Sequence, residues 1–579
     1  MYCLGFRRSF LSSLKLLTKT DSFSVPSYTR SPVSGLDGGQ RGVPASCACG
    51  MSTVSDSGNQ EVVIRIPRQM QERMDNLKQV KRKKFQRVIT SRPGKMLITS
   101  KRPQLNQPAS FILGKFDPLV LASKGWKHNK SFGDYFTIHN TQDTPPFVTD
   151  GQRDEKEKGG SKTVTFKSLH LSPEIVEALQ ACGIEHPTTV QLQTIPRLLR
   201  GHNLLCAAET GCGKTLSYLL PVVQLLRGET EGVLGGQTRC LVLVPSRELA
   251  EQVSGVARSL CSRLGLSVRV VGGGRGVGRI KQAFSHGPPN VLVATPGALY
   301  KALRRRCVDL GDLSFLVLDE ADTLLDQSFA GLVESILQRV QVASSPAQTR
   351  GPIRRAQLVL IGATFPSGVG ELLSQVTDLG SIVTVTSRGL HCLMPHVRQT
   401  FVKVRGADKL AELLQALQGE AAAQPGGGVL VFCNSAATVN WLGFALEEQG
   451  VRHVRLEGQM PAAMRAGIFS SFQSGRVDVL LCTDIASRGL DTQRVRLVVN
   501  YDFPHSHTDY LHRAGRVGRA GARGATAGGG TVLNFVTHPW DVELVQKIEM
   551  AARRRTALPG MESAIHTPPL KTDPKSNQE

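Results

Sequence analysis

A chain of 579 residues exceeds what one hydrophobic core organises, so two to four globular units plus tails are expected and a lone small binding module is excluded. With 40% hydrophobic residues, 58 Gly and 30 Pro, it has apolar matter to fold and turn residues for many connections, while no run of about 18 apolar residues is present to cross a membrane. Seventy Lys+Arg against 47 Asp+Glu leave a net charge of +23, which points to a polyanion, nucleic acid or an anionic lipid surface.

Residues 1–50 hold Arg7, Arg8, Lys15, Lys19, Arg30 and Arg41, many Ser and only Asp21 and Asp37 as acids. Leu4, Phe6, Phe10, Leu11, Leu14 and Leu17 add an apolar face, so the segment reads as a mitochondrial transit peptide and addresses the protein to the matrix. Lys81-Arg82-Lys83-Lys84 offers a second, nuclear or nucleolar address, which translation from Met51 would favour. Residues 51–160 read as a basic extension and linker. Between Glu61 and Lys130 there are 17 Lys+Arg and 4 Asp+Glu, so +13 of the +23 lies there. Phe85, Phe111, Phe116 and Trp126 either stack on bases or anchor a small flank packed on the first domain. Residues 131–160, polar and carrying Thr144-Pro145-Pro146, read as a linker. Twelve cysteines without a CxxC pair argue for a reducing compartment and against a disulfide framework or zinc site.

The folded part is expected from near Phe166. Across residues 161–388, buried-strand runs (204–208, 240–245, 291–295, 315–318, 358–361) alternate with helical patterns such as 249–264. A second series (429–432, 454–456, 479–482, 498–499, 532–535) occupies residues 389–556. This alternation predicts two α/β domains, each a parallel sheet flanked by helices. Residues 557–579 read as a flexible tail.

The first strand runs into Ala208-Glu209-Thr210-Gly211-Cys212-Gly213-Lys214-Thr215 and then an apolar helix. Strand, glycine loop and helix in this order make a phosphate cradle: Gly211 and Gly213 turn backbone N–H groups inward, Lys214 reaches the outer phosphates, and Thr215 offers its hydroxyl to Mg²⁺. Cys212, beside Lys214 at a helix N-terminus, is either a small residue or a thiolate-prone redox group. The strand 315–318 ends in Asp319-Glu320-Ala321-Asp322. Two carboxylates at the carboxyl end of a buried strand, paired with a phosphate loop, suit a nucleoside triphosphatase in which Asp319 holds Mg²⁺ and Glu320 polarises the attacking water.

Asp319 to Asp322 spells the motif that names the DEAD-box RNA helicases, and the family's other motifs follow in order. Phe166, with Pro187-Thr188-Thr189-Val190-Gln191, resembles the adenine-reading Q motif. Pro245 to Ala250, Gly272-Gly273, Thr295-Pro296-Gly297 and Gly362-Ala363-Thr364 resemble the RNA-contacting and coupling motifs of the first domain. Val431 to Ser435, Gln459 to Arg465, Thr483 to Asp491 and His512 to Arg519 resemble those of the second. The likeness spans roughly 166–555.

The resemblance implies two tandem RecA-like domains, a monomeric core, ATP and Mg²⁺ as cofactors, and an RNA-dependent ATPase that remodels RNA as the domains close. It implies that Phe166, Thr188, Gln191 and Asp491 bind the nucleotide, and that Arg516 and Arg519 reach the γ-phosphate as arginine fingers. Arg247, Gly273, Thr295, Gly297, Arg465, Thr483 and Gly489 would contact RNA without reading bases. Asp322, Gly362, Thr364 and His512 would couple hydrolysis to movement. Two positions depart from the family pattern: Gly362 removes a hydroxyl that links the acidic motif to closure, and Ala298 removes an arginine from the RNA face. Short runs at 105–108, 394–397 and 536–541 look most like a vertebrate mitochondrial member, which implies large-subunit ribosomal RNA and mitochondrial ribosome assembly proteins as partners. The rival readings are an ATP-gated RNA clamp or assembly scaffold that unwinds weakly, and a DNA-dependent translocase.

Overall fold

The computed structural model describes residues 95–114, 120–141, 164–230, 237–273, 277–326, 329–350, 354–364, 369–387, 389–423, 426–458, 460–484, 492, 494–518, 530–559 and 561, all within one compact unit, Thr90–Glu579. Its first elements are three short strands, β1 (Met96–Ser100), β2 (Gln107–Pro108) and β3 (Tyr135–Ile138). Order thus begins well before Phe166, and part of the stretch read as extension and linker is sheet. Pro103, Pro108 and interspersed Lys and Arg hide these strands from pattern reading; Pro108 lies in β2, the edge of the sheet, where proline is tolerated.

The first lobe is a seven-stranded sheet built from β4 (Asn203–Ala207), β5 (Cys240–Leu243), β6 (Val268–Val271), β7 (Val291–Ala294), β8 (Phe315–Asp319), β9 (Gln357–Gly362) and β10 (Ile382–Thr386). Every pairing is parallel, in the order β10-β4-β9-β8-β5-β7-β6. Strands β4, β5, β7, β8 and β9 are buried along their whole length, which is why they read as unbroken apolar runs. Because all strands point the same way, β4, β9 and β8, adjacent in the sheet, deliver their carboxyl ends to one edge. Ala207 lies beside Gly362 and Ile361 beside Asp319. Chemistry collected from three distant sequence positions therefore meets there.

The second lobe contributes β11 (Arg398–Lys403), β12 (Gly428–Phe432), β13 (His453–Leu456), β14 (Val479–Cys482), β15 (Val495–Asn500) and β16 (Thr531–Val536). They pair in parallel in the order β13-β14-β12-β15-β16-β11. Beyond β11 the sheet continues through β3, β1 and β2, all antiparallel, so nine strands form one surface. The flank anticipated on the first domain sits on the second.

Aromatic packing and one buried ion pair fasten it. Trp126 is fully buried, 5.6 Å from Phe136, which stacks on Phe401 at 4.7 Å; Phe401 in turn lies 6.0 Å from Tyr510. Glu549, on the helix Asp541–Arg554, accepts hydrogen bonds from Ala122 N (2.7 Å), Ser123 N (2.9 Å) and Ser123 Oγ (2.6 Å) while pairing with Arg553. Arg553 donates to the Leu105 carbonyl, and its own carbonyl accepts from Gln107 Nε2. A buried carboxylate persists only where its oxygens are satisfied, and the extension supplies three of the donors. Trp126 is thus core, not a base-stacking ring. The tail, too, is partly fixed: Leu558 is buried and its N–H donates to the His391 carbonyl in the segment joining the lobes.

Candidate active site at the interlobe cleft

The phosphate-loop sequence leaves β4 and enters the helix Lys214–Thr230. Gly211 and Gly213 have φ of 85° and 84°, a left-handed backbone that favours glycine. A capping box shapes the neighbouring helix Thr189–Leu199: Thr188 Oγ1 accepts from Gln191 N, and Gln191 Oε1 accepts from Thr188 N. The same two side chains reach the loop, Thr188 Oγ1 donating to the Cys212 carbonyl (2.9 Å) and Gln191 Nε2 to that of Gly213 (3.1 Å). Thr188 and Gln191 therefore brace the loop from behind. Phe166, 2% exposed, lies in the first lobe's hydrophobic core and holds this segment in place. Lys214 Nζ donates to the carbonyls of Ala208 (2.6 Å) and Glu209 (2.9 Å), and Thr215 stands beside it at the cleft.

Asp319 ends β8. Its Oδ2 accepts from the buried Tyr218 hydroxyl (2.9 Å) and its Oδ1 from Glu320 N (3.0 Å). Burial first, then the Glu320 carboxylate, push its pKa up to about 6 against the pull of Tyr218 and Lys214. A cation at this carboxylate would relieve that penalty, and one carboxylate with a hydroxyl and phosphate oxygens is a donor set suited to Mg²⁺. Glu320 sits at φ 53°, ψ 49°, a left-handed conformation that is costly for a side-chain-bearing residue and typical of functional sites. Its Oε2 is shielded from solvent and accepts no hydrogen bond from the described residues. Asp322 turns the other way. Its Oδ2 accepts from Ala363 N (3.3 Å), Thr364 N (3.0 Å) and Thr364 Oγ1 (2.8 Å), with His512 Nε2 at 3.3 Å from across the cleft. Burial raises its pKa, but His512 and Thr364 outweigh burial and hold it well below the usual carboxylate range. The link from the acidic motif to the segment after β9 thus runs through Thr364 and backbone N–H groups, and Gly362 leaves it intact.

The second lobe faces this edge with the helix His507–Ala514 and the turn after it. Arg516 is buried, its Nε donating to the His512 carbonyl, and the Arg516 carbonyl accepts from Thr492 Oγ1 (2.6 Å). His512 and Arg516 line a cleft of ≈ 450 Å³ together with Thr210, Gly211, Gly213, Lys214, Thr215, Asp319 and Glu320. Thr210 Oγ1 donates to the Gly515 carbonyl (3.3 Å), and a Cβ on Gly515 would overlap that hydroxyl and come within 3.0 Å of the Leu511 carbonyl. Gly515→Ala is therefore expected to stop the lobes from meeting. Turnover at the cleft should fall by at least an order of magnitude with the melting temperature little changed, since its φ of −67° suits alanine; turnover assays beside thermal melts check this.

A second cavity of ≈ 370 Å³ gathers Arg247, Gly273, Thr295 and Gly297 of the first lobe with Arg465 of the second. Arg465 Nε lies 3.5 Å from Glu248 Oε1, so the lobes meet here as well. Gly272 leaves room for Arg247, whose Cγ would lie 2.6 Å from a Cβ at that position. Ala298 and Lys301 also line it, so a cation is still supplied one turn beyond the position without an arginine. Thr483, half-buried, follows β14 outside both cavity linings. Arg519, Asp491, Gly489, Gln459, the leader and Lys81 to Lys84 lie outside the described residues.

Reading the sequence missed the residue that ties the second lobe's motifs together. Arg513, fully buried, donates bidentately to Asp484 (2.6 and 2.8 Å) and also to Asn434 Oδ1 (2.7 Å) and the Asp502 carbonyl (2.8 Å). The Arg-Ala-Gly-Arg run signalled arginines but not which one turns inward. Tyr218 was missed likewise, because a tyrosine in an apolar helix reads as core.

The thiolate reading of Cys212 is corrected: the side chain is fully buried, and burial pushes its thiol up to about 12 despite Lys214. In the native protein, iodoacetamide at pH 7.5 is expected to label exposed Cys182 and spare Cys212, with peptide mass spectrometry as the readout.

Residues 188–372 match the family model for the DEAD/DEAH box helicase domain, and residues 408–521 that for the helicase conserved C-terminal domain. The chain is 53% identical over 515 residues to "Probable ATP-dependent RNA helicase DDX28" of Mus musculus, covering 87% of this chain and 93% of that protein. The Homo sapiens protein of the same name is 52% identical over the same length, with the same shares covered. Among solved structures it is similar to S. cerevisiae Dbp5 bound to RNA and ADP BeF3, with TM-score 0.55 and 24% identity over 67% of this chain and 94% of that one. The helicase Mss116 bound to ssRNA and UDP-BeF gives TM-score 0.58 and 20% identity, covering 69% of this chain and 80% of that one. These structural likenesses bear on the fold.

Proposed function

The chain belongs to the DEAD-box ATP-dependent RNA helicases, and from that premise we propose how its residues divide the work and where it acts. ATP lies in the interlobe cleft, its phosphates on the N–H groups of Thr210 to Thr215. Lys214 leaves the Ala208 and Glu209 carbonyls for the outer phosphates. Thr215 and Asp319 would hold Mg²⁺, which supplies charge neutralisation for the phosphates. Glu320 orients and polarises the attacking water through Oε2; the unpaired oxygen beside the phosphate loop is the observation that carries this reading. Arg516 and Arg519 bring positive charge to the γ-phosphate from the second lobe, where such an arginine is worth about 10³–10⁵ in rate. Asp491 reaches the ribose.

Phosphoryl transfer depends on positioning and charge neutralisation, so a site split between two lobes is competent only when they close. RNA favours closure by bridging Arg247, Gly273, Thr295 and Gly297 to Arg465, Thr483 and Gly489. Contacts through backbone N–H groups, small hydroxyls and arginine read phosphate and 2′-OH, leaving the core sequence-blind. Asp322, held by Thr364 and facing His512, couples the two events.

The basic, acid-poor leader supports mitochondrial targeting, with the Lys81 to Lys84 patch as a nuclear address. Together with the resemblance of 105–108, 394–397 and 536–541 to a mitochondrial member, it favours large-subunit ribosomal RNA as substrate and ribosome assembly proteins as partners. The test is ATP hydrolysis with single-stranded RNA, with single-stranded DNA and without nucleic acid, followed by crosslinking of bound RNA in cells. Stimulation by RNA alone, with mitochondrial large-subunit RNA enriched, is expected. Equal stimulation by DNA overturns the substrate assignment, and enrichment of cytosolic messenger RNA overturns the location.

A further inference from the structure

The carboxyl edge of the second lobe's sheet carries a surface that the mechanism leaves unused. Trp540 is 69% exposed, the most exposed of the large hydrophobic side chains described, and lies flat on His538 with ring centroids 4.3 Å apart and planes within 9°. A tryptophan of a folded lobe held in that way presents one bare π-face, the geometry on which unpaired bases stack.

The N-terminal extension brings charge to the same place. β3 runs antiparallel to β11, with Tyr135 opposite Val402, so the residues just before β3 arrive where β11 and β16 end. Gly133 N donates to the Lys403 carbonyl (2.8 Å), and Lys403 Nζ donates to the carbonyl of Thr537, next to His538. The Phe132 ring lies 5.4 Å from both Lys403 Nζ and the Arg405 guanidinium. Lys127 is close enough to Glu543, in the first turn of the helix after Trp540, to help hold its carboxyl below the usual range, after Lys547. Acids in this region are largely answered: Asp134 by Lys101 (3.4 Å) and Arg102 (3.3 Å), Glu543 by Lys547 (2.7 Å). Exposed Lys124, Lys127, Lys130 and Arg405 then stand against exposed Asp408.

We propose that this face, formed jointly by Lys127, Lys130 and Arg405 with the Trp540–His538 stack, is a second single-stranded RNA site. It is separate from the interlobe groove. Strands β12 and β15 intervene between β14, which leads to Thr483, and β16, which leads to Trp540. RNA is favoured over a protein partner because the face pairs a flat exposed aromatic with an excess of exposed cations over acids. The proposal rests on RNA being the substrate of the core. A strand long enough to engage both sites gains affinity through tethering, without closing the lobes, and stays attached between ATP cycles.

The experiment compares the full chain with a Trp540→Ala/Lys127→Gln/Lys130→Gln variant, and with Trp540→Phe, without nucleotide. RNA probes of about 6 and about 25 nucleotides, bracketing the usual site size, are read by fluorescence anisotropy across a salt series. The triple variant should bind the longer RNA about tenfold or more weakly, because one base no longer stacks and two phosphates are no longer neutralised. Its slope of log affinity against log salt should drop by about 0.7 for each of those phosphates. Trp540→Phe, which keeps a π-face, should lie close to the unmodified protein. ATP hydrolysis driven by saturating short RNA should be the same in all three. Equal affinity and slope for the longer RNA in the triple variant overturns the proposal and assigns the face to a protein. If short RNA fails to stimulate hydrolysis in the unmodified protein, the core reading falls, while the longer-RNA comparison still decides this one.

Discussion

Replacing Glu320 by Gln should abolish multiple-turnover ATP hydrolysis while leaving the protein locked on RNA when ATP is present. Replacing Lys214 by Ala should abolish both hydrolysis and ATP-dependent RNA retention. The difference follows from what each side chain touches. A glutamine in place of Glu320 would keep its size, its backbone bond to Asp319 and its place beside the loop. Its amide, however, cannot accept the proton of an attacking water, and general-base assistance is worth about 10²–10⁴ in rate. The phosphate loop, Asp322 with its Thr364 and His512 partners, and the Arg516 approach are untouched, so closure on ATP and RNA survives. Lys214→Ala instead strips the cation from the loop and leaves the Ala208 and Glu209 carbonyls facing the phosphates. Single-turnover hydrolysis measured beside dissociation of a labelled RNA separates the two. Hydrolysis by Glu320→Gln at the unmodified rate would refute its role at the water, and ATP-dependent RNA retention by Lys214→Ala would refute the placement of the phosphates.

The residues that meet at the candidate site could be picked out in the sequence because its parts are local and chemically explicit. A strand, two glycines with Lys214 and Thr215, and a strand ending in acids can each be read without knowing the fold, and parallel topology alone brings them to one edge. Roles that depend on which way a side chain turns were not legible. Arg513 and Arg516 lie three residues apart in one motif, yet Arg513 braces Asp484 and Asn434 inside the second lobe while Arg516 lines the cleft. Neighbours in sequence left Cys212 as either a small residue or a thiolate-prone group, and its burial favours the former. Least legible was the extension. In its described part, charge marked the exposed Lys and Arg and hid the buried side chains Leu97, Ile98 and Trp126 that enter the second lobe's core. A composition average over Glu61 to Lys130 cannot separate those two populations.

The extension carries the second large effect. Removing residues 1–90 keeps β1 to β3 and every contact of the extension described above, and serves as the reference truncation. Removing residues 1–130 should destabilise the second lobe severely. It deletes β1 and β2 and empties the core of Leu97, Ile98 and Trp126; loss of a buried tryptophan side chain alone costs about 3–5 kcal/mol, against a typical domain stability of about 5–15 kcal/mol. It also takes three donors from Glu549 and the Leu105 carbonyl from Arg553, leaving a buried ion pair with unmet polar atoms. The damage reaches the chemistry through Phe136, Phe401 and Tyr510, because Tyr510 belongs to the helix that carries His512 and Arg513. The single substitution Trp126→Ala should show the same trend in a full-length chain, lowering the melting temperature by several degrees or more. Thermal unfolding of the four proteins, followed by tryptophan fluorescence and by ATP turnover, provides the comparison. A 1–130 deletion that melts like the full chain would show that β1 and β2 add nothing to the lobe's stability, and Glu549 would then need another partner for its charge.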